Sequence, residues 1–106
     1  MKTSEILKAA KERIGTPDLW CKELGDYWLN TAPCCAYGAV LSVCDRRRAV
    51  EVVEFLHQQV PDRPEYRHSP KLDPAIGVYN DHPDTTHADI MALLDRAIAE
   101  REAACD

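Results

Sequence analysis

A chain of 106 residues has the size of one domain, and its 45% hydrophobic and 29% charged residues exclude a disordered or fibrous polymer. A net charge of -5 opposes attraction to phosphate backbones and anionic lipid, so nucleic acid and membrane are both disfavoured as partners. No apolar run approaches the roughly 20 residues that span a bilayer, and the first fifteen alternate charge with apolar groups unlike a secretory signal, which points to the cytosol.

The first element is a helix over residues 3–14, where Ile6, Leu7, Ala10 and Ile14 share one face before Gly15 and Pro17 close it. Residues 16–32 carry both tryptophans, Trp20 and Trp28, without a clear period, and two helical turns over 18–24 fit the start signal of Pro17. From Pro33 to Cys44 the chain is apolar nearly all round. This reads as a buried central helix with Pro33 in its first turn, where a missing N–H costs nothing, and with small residues that admit close neighbours; a strand is the alternative.

Asp45 caps the next helix, in which Ala49, Val52, Val53, Leu56 and Val60 repeat at three and four residues until Pro61. Four prolines within residues 61–75 (Pro61, Pro64, Pro70 and Pro74) predict a long connecting loop. Residues 75–79 form the most β-like stretch and are expected to lie extended against the core. The last helix opens at Thr86, which with Asp89 forms a capping box. It continues through Ile90, Leu93, Leu94, Ala97 and Ile98 and frays beyond Glu100. The whole, residues 1–106, is therefore one mainly α domain: a compact bundle of about four helices with one short extended segment, built around the 33–44 helix.

Three features in this order, the Cys35-Ala-Tyr-Gly-Ala run, Tyr79-Asn80-Asp81 and the closing Ile-x-x-Leu-Leu-x-x-Ala-Ile helix, carry a family likeness. The chain resembles an uncharacterised family of small actinobacterial and actinophage proteins over about two thirds of its length. It departs by placing Cys34 where an aromatic is usual and Tyr79 where tryptophan is usual. The resemblance implies a fold and a phage or accessory-gene setting, and no reaction.

Five cysteines, Cys21, Cys34, Cys35, Cys44 and Cys105, are an odd number with two adjacent, which favours reduced thiols over a disulfide framework. Cys34 and Cys35 lie near a predicted helix N-terminus, where the dipole favours a thiolate. With His82 as base and Asn80 or Asp81 to orient it, they compose a Cys-His-Asn/Asp arrangement. Against this stand their apolar surroundings, which make a thiol inert, and the lack of a glycine-rich oxyanion turn.

The run from Asn80 to Asp89 gathers carboxylates and imidazoles, with Asp81, His82, Asp84 and His87 as metal candidates. Yet no closed four-ligand spacing is present, and His87 and Asp89 fall about 200° apart on a helix. Asx turns and a helix cap account for the same residues, and no cofactor is expected.

Arg46, Arg47 and Arg48 stand in the first turn of a helix, whose positive end they oppose. With Arg63, Arg67 and His68 they form either a site for phosphate, nucleic acid or an acidic partner or, as the overall acidity favours, a solvated face balanced by Glu51 and Glu54. Trp20, Trp28, Tyr27 and Tyr79 serve a partner or close the core, and the scarcity of rings assigns Trp28 and Tyr79 to the core. The reading that follows is a small cytosolic accessory protein, of phage or related origin, that acts on a protein partner, with self-association open. Its alternatives are a cysteine-dependent enzyme using Cys35 or Cys34 with His82, and a metal module at residues 80–89.

Overall fold

A computed structural model describes residues 1–66 and 75–104. Five α-helices make up the described chain: α1 (Thr3–Arg13), α2 (Ala36–Val43), α3 (Arg46–His57), α4 (Ala75–Asp81) and α5 (His87–Ala103), with single 3-10 turns at Pro17–Leu19 and Pro64–Tyr66. Helix α1 packs against both α2 and α5, while α3 closes over α2, α4 and α5.

The three helices with long amphipathic periods form where their patterns place them, except that α3 stops at His57 and leaves Val60 in the turn that follows. Ile6, Leu7, Ala10 and Ile14 turn inward from α1 and its C-cap, Ala49, Val52, Val53 and Leu56 from α3, and Ile90, Leu93, Leu94, Ala97 and Ile98 from α5. Asp45 accepts the Arg48 N–H at 2.8 Å at the start of α3. Thr86 and Asp89 cap α5 reciprocally: Thr86 N–H donates to Asp89 Oδ2 at 2.9 Å and Asp89 N–H to Thr86 Oγ1 at 3.2 Å. Helix α5 runs three residues past the expected fraying point, to Ala103.

Four expectations are corrected. Helix α2 begins at Ala36 rather than Pro33, because Cys34 is held in extended backbone: its N–H donates to Leu19 O and its C=O accepts from Cys21 N–H, both at 3.1 Å. Those long-range bonds consume the groups a helix would need. The expected turns over 18–24 reduce to Pro17–Leu19, after which Trp20 and Gly25 each bridge to Cys34. Residues 75–79 are helical, since Ile76, Tyr79 and Asn80 all face inward at helical spacing, a period that five residues are too short to display. Trp28 lies outside the core, 65% exposed. Of the expected proline-rich loop, Pro64–Tyr66 is a 3-10 turn, while Pro70, Pro74, Arg67 and His68 lie outside the described residues, as does Cys105.

Two glycines permit the packing of the 20–34 segment. Gly25 has a φ of 65°, and a Cβ there would stand 2.4 Å from Pro33 O, so no other residue fits. Gly38 lets that segment lie directly on α2, since a Cβ would meet Leu24 O and Tyr27 Cβ at 3.0 Å.

Candidate functional site

The two chemistry-bearing segments singled out by sequence, 34–35 and 80–82, do meet, and they meet through Asn80. This side chain is fully buried. Its carbonyl oxygen accepts from Trp20 Nε1 at 2.7 Å and from the Ala36 N–H at the start of α2 at 3.1 Å. Its amide nitrogen donates to Cys21 O and to Asp81 Oδ1, each at 3.0 Å. All its hydrogen-bonding capacity toward these neighbours is committed, so it ties α4 to α2 and to the Trp20 segment rather than orienting a base. The sequence reading of Asn80 as a local turn former is corrected by this.

Cys35 is the N-cap of α2, its sulfur accepting the Gly38 N–H at 3.3 Å. Burial pushes its thiol up to about 12, with the Asp81 charge adding to the rise and the Gly38 N–H opposing it. Cys34 is fully buried, and desolvation raises its thiol too, against the pull of the Arg13 guanidinium. Helix-terminal placement alone therefore does not make a thiolate here; desolvation outweighs the N–H groups.

The imidazoles are engaged elsewhere. His82 Nδ1 accepts from the Asp84 N–H at 3.1 Å, and its ring stands edge-on to Tyr66 at 5.1 Å. His87 Nε2 lies 2.7 Å from Ile14 O, and because a carbonyl only accepts, that nitrogen carries the proton. Among the described residues no three His, Cys, Asp or Glu side chains are grouped so as to hold a metal ion, and Asp81, His82, Asp84 and His87 do not converge. Lys22 closes this side of the molecule, donating to His82 O and, at 2.9 Å, to Thr85 O, with its ammonium 5.8 Å from the Trp20 ring centroid.

A different surface stands open. Four large apolar side chains are exposed in two neighbouring stretches: Leu24 (42%), Trp28 (65%), Leu29 (49%) and Val50 (53%). Between them lies a cleft of about 280 Å³, walled by Leu24 and Tyr27 on one side, Tyr37 and Leu41 of α2 on another, and Arg46 and Val50 of α3, with Ala49 also lining it. Trp28 extends this face, its ring edge-on to Tyr27 at 5.4 Å. The cleft is below the usual volume of a drug-sized ligand site and suits one or two side chains.

The segment carrying Trp28 is anchored from behind by a buried cation. Arg13 Nη2 donates to Leu29 O at 2.7 Å and to Ala32 O at 2.6 Å. The arginine run divides as well. Arg48 is occupied, pairing with Glu51 at 2.5 Å and donating to Thr3 Oγ1 and Met1 O. Arg46 and Arg47 are exposed, and Arg46 stands at the mouth of the cleft.

Sequence reasoning did not place this cleft, because three separate segments build it. The one available signal is Val50, an apolar residue lying off the inward stripe of Ala49, Val52, Val53 and Leu56.

Fold and surface together define a small helical domain with a buried polar tie at its centre and an open apolar cleft on its side. Residues 1–100 match the model of the family of unknown function DUF6197, and the chain belongs to that family. No curated protein and no solved structure matches it.

Proposed function

We propose that this chain is a small protein-binding module of the cytosol, working in an actinobacterial or phage setting, and that its docking face is the cleft between the 24–29 segment, α2 and α3. The observation that carries the reading is the exposure of Trp28, Val50, Leu24 and Leu29 in a chain with only two tryptophans. Leu24 and Val50 line the cleft and Trp28 adjoins it through Tyr27, and apolar exposure gathered around a cleft in this way marks interaction sites. The burial of both central thiols and the engagement of Asn80, His82 and His87 favour binding over cysteine chemistry.

Site-specific photocrosslinking in a native cytosol tests it. A benzophenone side chain placed at Val50 is expected to yield a discrete protein adduct that a second change, Trp28→Ser, weakens. The same probe at Ala99, on the solvent side of α5, is expected to yield none. Absence of an adduct from position 50, or equal adducts from both positions, defeats the proposal.

A further inference from the structure

Resting on that docking reading, we infer that the occupant of the cleft is an amphipathic α-helix of a partner protein, bearing two apolar residues one turn apart and a carboxylate within one turn of them. The shape of the cleft argues for a helix. Tyr37 and Leu41 are spaced four residues apart on α2, and so are Arg46 and Val50 on α3, so each wall is about 6 Å long, the length of one turn. Ala49, small and 2% exposed, lines the space between them and lets a neighbouring helix approach closely. This is the geometry in which an inserted helix presents anchors at i and i+3 or i+4.

The charge argues for the carboxylate. Three arginines in the first turn of α3 oppose the helix dipole, and each such placement is unfavourable unless an anion answers it. Arg48 has its answer in Glu51. Arg46 and Arg47 have no ion pair among the described residues, and Arg46 lines the cleft itself. Asp45, just before Arg46, has its carboxylate on the Arg48 N–H at the start of α3, and neither it nor Glu23 or Asp26 lines the cleft, so Arg46 is the charged residue of its lining. A partner carboxylate there completes a fork-shaped guanidinium pair beside an apolar contact, which fixes the register of the docked helix.

A display library of short helical peptides randomised on one face, selected against the wild-type protein and against R46E, reads the proposal. Wild type is expected to enrich peptides with two apolar residues one turn apart and Asp or Glu beside them, whereas R46E enriches Lys or Arg at that place. For an enriched acidic peptide, Arg46→Gln is expected to weaken binding by about two- to fivefold at low salt, a margin that shrinks as salt rises. Val50→Asp is expected to abolish binding, with the helical circular dichroism of both variants unchanged.

Enrichment of peptides without an acid, or no enrichment at all, overturns the inference. So does tight binding of labelled oligothymidylate, or self-association of the wild type that Val50→Asp removes. If position 50 still crosslinks to a protein in any of these cases, the docking reading survives and only the acidic-helix occupant is lost.

Discussion

Replacing Asn80 by alanine removes four hydrogen bonds; exposed Asp81 can turn to water, but the Ala36 N–H, Trp20 Nε1 and Cys21 O are left without their partner. The Ala36 N–H is fully enclosed, and stranding such a donor costs about 1–3 kcal/mol, while the two partly buried partners each forfeit about 0.5–1.5 kcal/mol. The sum, about 2–6 kcal/mol, is a large share of the roughly 5–15 kcal/mol that stabilises a domain. Because about 1 kcal/mol moves the midpoint by about 4–8 °C at this size, the thermal unfolding midpoint followed by circular dichroism is expected to fall by at least about 8 °C. A companion, Asn80→Asp, separates the network from simple packing. It keeps the acceptors for Trp20 and Ala36 but sets a carboxyl in a buried place beside Asp81, where desolvation and that charge hold its folded-state pKa above the unfolded value of about 3.9. The protonated form is then favoured in the folded state. Stability is greatest below that unfolded value and declines as pH rises through the folded one. A midpoint for Asn80→Ala within about 3 °C of wild type, or an Asn80→Asp deficit that does not grow with pH, would refute the assignment of Asn80 as the central tie.

Cys35, raised from 9.0 to about 12, holds roughly a thousandfold less thiolate than an open cysteine, so native-state alkylation read by mass spectrometry at pH 8 should label Cys21 well before Cys34 or Cys35; early labelling of Cys35 contradicts the buried-thiol reading. For the same reason the contribution of Cys35 to stability is complete below pH 9.0 and is lost as pH climbs toward 12, which alkaline urea titrations of wild type and Cys35→Ala compare. Gly25→Ala, at a φ of 65° with Pro33 O in the way, is expected to cost more than the roughly 1–2 kcal/mol of the left-handed conformation alone, and an unchanged urea midpoint would show that the bend is elsewhere. Thr86→Ala should cost about 0.5–2 kcal/mol through the lost α5 cap, whereas Trp28→Ala, at an exposed site, should stay within about 0.5 kcal/mol of wild type.

What could be read from the chain before its fold was set by length of pattern. Helices α1, α3 and α5 each repeat their apolar stripe over several turns, and α3 and α5 add side-chain caps at Asp45 and Thr86, so local pattern was enough to place them. Cys34 escaped because its backbone partners, Leu19 and Cys21, lie more than ten residues away and override a good helix start. Asn80 was legible as special, through the Tyr-Asn-Asp run, but its role was not. The indole that meets it is Trp20, sixty residues upstream, and no local rule pairs a carboxamide with a ring at that separation. The cleft was less legible still, being shared among residues 24–27, 37–41 and 46–50, with only the misplaced apolar Val50 to betray it.

The fork that Arg13 extends to Leu29 O and Ala32 O has a consequence for how any partner is met. Trp28 sits on a segment with no regular secondary structure, and a free segment of that kind would have to be ordered at the moment of association, a cost of about 0.5–1.5 kcal/mol for each side chain immobilised. A guanidinium reaching across from α1 meets that cost during folding instead. On the docking proposal, association then depends on the encounter of two prepared surfaces rather than on a waiting step, and Arg13→Ala, which also strands Leu29 O and Ala32 O, is expected to lower stability and slow capture together.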